Sequence, residues 1–72
     1  MNYTIQFDFT TVSKRGMFSL KSGEIDMDGE PNMSIDDIKD SDETKSIIAM
    51  SMEQATNKKV VLVTITNLTE VG

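Results

Sequence analysis

From Asn2 to Val12 apolar and polar residues alternate, with Tyr3, Ile5, Phe7 and Phe9 on one side and Thr4, Gln6, Asp8 and Thr10 on the other. A period of two fits an extended strand with one face buried, because successive side chains of a strand point to opposite faces. Such a strand needs partners for its edges and a cover for its apolar face. The chain has 72 residues with which to supply them, which allows one small domain and one core.

The first partner follows at once. Ser13-Lys14-Arg15-Gly16 has the length of a hairpin turn, and Gly16 tolerates a positive φ. The returning stretch places Phe18 and Leu20 on even positions but Ile25 and Met27 on odd ones, with Lys21-Ser22-Gly23 between them. One extra residue at a β-bulge near Gly23 would restore a common inward face in a single bent strand from about Met17 to Asp28. The competing reading turns Lys21 to Gly23 into a second tight turn and gives three short strands. The length of the first strand favours the single long partner.

Pro31 cannot donate to a ladder, so Gly29-Glu30-Pro31-Asn32 must leave the sheet. Two helix starts follow. Ser34-Ile35-Asp36-Asp37 has the outline of a capping box, and Asp40 or Ser41 leads into Asp42-Glu43-Thr44. The acids at both starts suit the positive end of a helix dipole. The main helix is expected at about 41 to 56, with an inward stripe of Thr44, Ile47, Ile48, Ser51, Met52 and Ala55 and a left-handed terminator at Asn57. Val60 to Val71 is the most β-prone run, and Val60, Val61, Leu62 and Val63 are apolar without alternation, which predicts a strand covered on both faces over its first half.

The order β-β-α-β implies an α+β two-layer sandwich, a three-stranded, mostly antiparallel sheet with one helix on one face. If the first strand ascends, Lys14, Arg15, Lys58 and Lys59 share one pole and the acids from Asp26 to Glu43 crowd the other. The expectation is a dipolar protein.

The residues that are missing restrict the chemistry. Cys, His and Trp are absent, so no thiolate nucleophile, imidazole base, Cys or His zinc site or disulfide can form. Carboxylate pairs abound, but acid-base catalysis needs two of them in environments that separate their pKa values across a cleft, and one helix on three strands offers little room for one. No enzymatic activity and no cofactor are expected. Met1 to Thr10 has neither a basic n-region nor an apolar core, and the longest apolar run is Val60 to Val63, so neither secretion nor a membrane span is expected and a cytoplasmic location is the default. The N-x-Ser/Thr triplets at Asn2, Asn32 and Asn67 would carry meaning only in a secreted chain.

Charge supplies the functional expectation. Nine of the twelve acids lie between Glu24 and Glu43, where they face one base, Lys39, and the whole chain carries a net charge of −5. Direct nucleic-acid binding is disfavoured, because phosphates need Lys and Arg on the contact face. Glu24 to Glu30 resembles the start of a calcium loop, with Asp26, Asp28 and Gly29 correctly spaced, but it opens on Glu and has Ile35 where the bidentate acid belongs. No metal site is expected there. Of the six methionines, Met27 and Met52 fit core positions, while Met50 falls off the inward stripe and is a candidate interface residue.

Asp26, Asp28, Glu30, Asp36, Asp37, Asp40, Asp42, Glu43 and Met50 are therefore the candidate partner-binding residues. The function expected from them is a non-enzymatic protein-binding module that engages a basic surface on another protein. The simplest form is an inhibitor that imitates nucleic acid, with the economy of chemistry of small viral inhibitors. The alternative is a structural or assembly protein that self-associates through its sheet into a homo-oligomer.

Overall fold

The computed structural model describes residues 1–71. Two long strands form a hairpin, β1 (Asn2–Val12) and β2 (Phe18–Asp28). A one-turn helix α1 (Ile35–Ile38) and a main helix α2 (Asp42–Thr56) come next, and β3 (Lys59–Glu70) closes the chain. The sheet order is β2-β1-β3 with both pairings antiparallel, so the alternating strand is the central one. The expected α+β sandwich is the architecture observed, with a short additional helix at the first of the two capping sequences.

The hairpin does not use a bulge at Gly23. β1 and β2 pair in one unbroken register from Asn2 opposite Asp28 to Val12 opposite Phe18. Opposed residues share a face, so Gly23, Ile25 and Met27 lie with Phe7, Ile5 and Tyr3 on the helix side, while Phe18 and Leu20 lie with Val12 and Thr10 on the other. The phase slip in the sequence thus marks a change in which face is apolar, not a fault in the strand. Gly23 serves packing instead, since a Cβ there would lie 3.1 Å from the Phe7 ring and 3.6 Å from the Met52 sulfur.

The irregularities fall on β3. Thr10 faces Leu62 and Thr11 faces Val60, leaving Val61 as an extra residue; Gln6 faces Asn67 and Phe7 faces Ile65, leaving Thr66 as another. These two bulges convert an unalternating sequence into one inward row of Val60, Val63, Ile65 and Leu68. The expectation of a strand covered on both faces is therefore corrected, because Val61 and Leu62 are 46% and 59% exposed. A run of four apolar residues reads as doubly buried only when alternation is assumed, and the bulge breaks it.

The core lies between the odd-numbered side chains of β1 and the helices. Ile5, Phe7 and Phe9 meet Ile38, Ile48, Val60, Val63 and Ile65, with Met33, Ile35 and Met52 packed around them. A helix of 15 residues is about 22 Å long, whereas the molecule extends 43 Å. Helix α2 therefore covers part of the sheet, and α1 with the linker before it covers the end that bears Tyr3. Buried Tyr3 secures that linker, as its hydroxyl donates to the Glu30 carbonyl (2.6 Å) and accepts from the Met33 amide (3.1 Å).

Helix α2 begins and ends where its sequence indicates. The Ser41 hydroxyl accepts from the Thr44 amide at 3.3 Å, and Asn57 takes the left-handed conformation at φ 57°. Its buried stripe is rotated from the expected one. Ile48 is fully buried and Thr44, Ser51 and Met52 are partly buried, but Ile47 is 52% exposed and Ala55 faces solvent. The half-buried positions next to the stripe are Lys45, Ala49 and Glu53, which face the edge of β3. The Glu53 carboxylate accepts from the Val60 amide at 3.0 Å, so the helix is rotated toward β3 by a polar contact that apolar periodicity does not register.

Two expectations follow. Ile48→Ala should destabilise the fold by about 3 kcal/mol and Ile47→Ala by less than about 0.5 kcal/mol, measured by urea denaturation. Tyr3→Phe, which leaves the Met33 amide without its acceptor, should cost about 1–2 kcal/mol in the same assay.

Candidate functional site

The helices cover one face of the sheet and leave the other open. Its composition follows from the register, row by row across β2, β1 and β3. At the end nearest the hairpin turn the rows are Phe18, Val12 and Lys59, then Leu20, Thr10 and Leu62. Further down come Ser22, Asp8 and Thr64, then Glu24, Gln6 and Asn67, then Asp26, Thr4 and Thr69, and finally Asp28 with Asn2. One half of the open face is apolar and the other half is acidic.

The apolar half is strongly exposed. Phe18 is 69% and Leu20 75% accessible, and Leu62 stands across the sheet from Leu20. Large side chains on this scale are ordinary when scattered singly, but here they gather on one sheet face. In the acidic half Glu24, Asp26 and Asp28 recur at every second residue of one strand, roughly 6.8 Å apart, with Asp8 beside them on β1. The Asp26 carboxylate accepts from the Thr4 hydroxyl at 2.8 Å and the Asp8 carboxylate from the Ser22 hydroxyl at 2.7 Å, which orients both without neutralising them. A depression of about 420 Å³ between Gln6, Asp8, Ser22 and Glu24 opens in this half.

The remaining sequence-designated acids lie elsewhere. Glu30 follows β2 and contributes its carbonyl to Tyr3. Asp36 pairs with Lys39 one turn on at 2.9 Å, and that hydrogen bond and charge raise the Lys39 pKa; both groups are largely exposed, so the pair adds little stability. The Asp37 carboxylate accepts from the Ser34 amide at 2.7 Å and is a cap of α1. Asp40, Asp42 and Glu43 sit between the helices and in the first turn of α2. Asp42 borders a groove formed with Val60 to Val63, which places the start of α2 beside the middle of the sheet.

The expected single acidic pole is thus corrected. Asp26 and Asp28 belong to the open sheet face, whereas Asp36 to Glu43 belong to the helical layer behind it, and they extend toward the middle of the molecule. The basic end is as expected, with Lys14, Lys58 and Lys59 around a groove of about 510 Å³ at the turn end of the sheet. Met50 is 63% exposed, on the outer side of α2 beside Glu53, Gln54 and Asn57, away from the open face.

Sequence reasoning missed Asp8, Phe18, Leu20 and Leu62 as surface determinants. The phase slip of β2 marks Phe18 and Leu20, the unalternating run Val60 to Val63 marks Leu62, and Asp8 stands on the polar side of the alternating β1. The calcium-loop resemblance dissolves in the fold, because an extended strand holds Glu24, Asp26 and Asp28 too far apart to share one cation. Among the described residues no group of three or more carboxylates is placed to hold a metal ion, and no helix is long and apolar enough to cross a membrane. No family model matches the chain, and no curated protein or solved structure was found similar to it.

Millimolar calcium should therefore shift the amide resonances of residues 24 to 30 no more than the same ionic strength of sodium does, as read from two-dimensional NMR spectra.

Proposed function

We propose that the chain is a non-enzymatic protein-binding module that docks through the open face of its sheet onto a basic surface of another protein. The observation that carries this reading is the juxtaposition on one uncovered face of Phe18, Leu20 and Leu62 with the carboxylates of Asp8, Glu24, Asp26 and Asp28. Apolar area supplies contact energy on burial, and a row of like charges selects a partner of the opposite sign and speeds encounter.

The regular spacing of the β2 carboxylates along a rigid strand suits a surface that normally receives a row of phosphates. On this reading the module is an inhibitor of nucleic-acid-mimic type, and its target is a nucleic-acid-handling protein. We assign its action to the cytoplasm, where a fold that uses no disulfide meets such targets.

The test is capture from lysate on the immobilised chain, washed at about 50 mM and then about 500 mM salt, where screening is strong. A basic nucleic-acid-handling protein should be retained in the first wash and released in the second. The triple variant Glu24→Gln, Asp26→Asn, Asp28→Asn should lose it, while Asp36→Asn with Asp40→Asn should keep it. Retention that ignores both salt and the triple variant would overturn the proposal.

A further inference from the structure

We infer that the open face also pairs with a second copy of itself, in a two-fold arrangement that sets the strands of the two sheets antiparallel and staggers them so that the apolar halves overlap. Charge complementarity selects this arrangement. Along the open face the chain runs from basic (Lys14, Arg15 and Lys59), through apolar (Phe18, Leu20 and Leu62), to acidic (Asp8, Glu24, Asp26 and Asp28). A two-fold axis along the strands would set each carboxylate row against its own copy. An axis across the strands, through the row of Leu20, Thr10 and Leu62, lays apolar on apolar instead.

That second axis has a further consequence. The row of Phe18, Val12 and Lys59 then faces the row of Ser22, Asp8 and Thr64 in the other copy, and the turn bearing Lys14 and Arg15 faces the row of Glu24 and Gln6. Packed sheets lie about 10 Å apart, within reach of an Arg on one side and a Glu on the other. The depression between Asp8, Ser22 and Glu24 is where the Arg15 guanidinium of the other copy enters. By symmetry each basic end meets an acidic half, twice per pair.

The sheet edges offer poorer routes to self-association. The edge of β3 is interrupted by bulges at Val61 and Thr66, and its Val60 amide is taken by Glu53. On β2 the exposed Lys21 lies on the helix side opposite Phe9, a charge that an added strand would crowd. Three strands across four rows give a footprint on the order of 400 Å², below the roughly 800 Å² per partner of a standard interface. The pairing is accordingly a weak and reversible one. It occupies the face assigned to the basic partner, so the two are mutually exclusive, and the purified chain tests the first without the second.

The experiment is sedimentation equilibrium of the purified full chain from about 10 to about 500 µM, spanning the range of weak interfaces. The mass should rise from 8.0 kDa toward twice that value. Leu20→Glu should weaken association at least tenfold. Arg15→Glu and Glu24→Arg should each weaken it several-fold, and the double variant should restore it to within about twofold of the parent, because the contact is reformed with its charges exchanged. All these positions are solvent-exposed, so each variant should keep the parent's thermal midpoint at low concentration. A strict monomer at the highest concentration would overturn the inference, as would association indifferent to Leu20→Glu. Failure of the double variant to restore pairing, or new amide-exchange protection along the outer edge of β2 or β3, would overturn the staggered face-to-face arrangement.

Discussion

The structure depends on the one-sided burial of its central strand. Tyr3, Ile5, Phe7, Phe9 and Thr11 are all nearly inaccessible, and each projects from β1 toward the helices. Because β1 is hydrogen-bonded along both edges, its position is set by two neighbours as well as by the core beneath it. Ile48 and Ile38 are the helical residues that close over this row. A single 15-residue helix cannot span strands of 11 and 12 residues, so the linker and α1 must complete the cover. Tyr3 ties them down at the far end through its hydroxyl. The other side chains of the sheet are left with no second layer to meet.

From that shortage of covering layers comes the open surface on which the proposed function rests. An antiparallel sheet with one solvated face ordinarily presents polar residues there. Here the polar pattern holds over the acidic half of the face and fails over the half next to the turn, where Phe18, Leu20 and Leu62 stand in water. Local propensity and burial disagree at these positions, and such disagreements concentrate at functional surfaces. On the function proposed above, a docking partner or a second copy supplies the covering layer that these residues lack.

Much of the fold was legible because its signals are local. The alternation of β1, the turn at Ser13 to Gly16, the capping sequences at Ser34 and Ser41 and the left-handed Asn57 each act over a few residues, and each appears where the sequence places it. Periodicity alone does not decide which face of an element is covered. Phe18 and Leu20 face outward because β2 pairs without a bulge, and Val61 and Leu62 are exposed because a bulge in β3 breaks its alternation. Ile47 fits the helical stripe by spacing but lies outside it, because a helical wheel does not weigh the Glu53 carboxylate accepting from the Val60 amide. The candidate site suffered likewise. Nine acids that are neighbours in sequence are divided by the fold between a sheet face and a helical layer.

The amino-acid order by itself determined the β-β-α-β order of the main elements, the absence of Cys and His chemistry and the sign of the surface charge. These follow from backbone sterics, side-chain periodicity and side-chain inventory, which need no knowledge of distant contacts. Only the tertiary structure decided which apolar residues are left outside, which carboxylates share a face, and where the β3 bulges fall. Those outcomes depend on pairing register and on the length of helix available to cover the sheet, and both are settled between residues far apart in the chain.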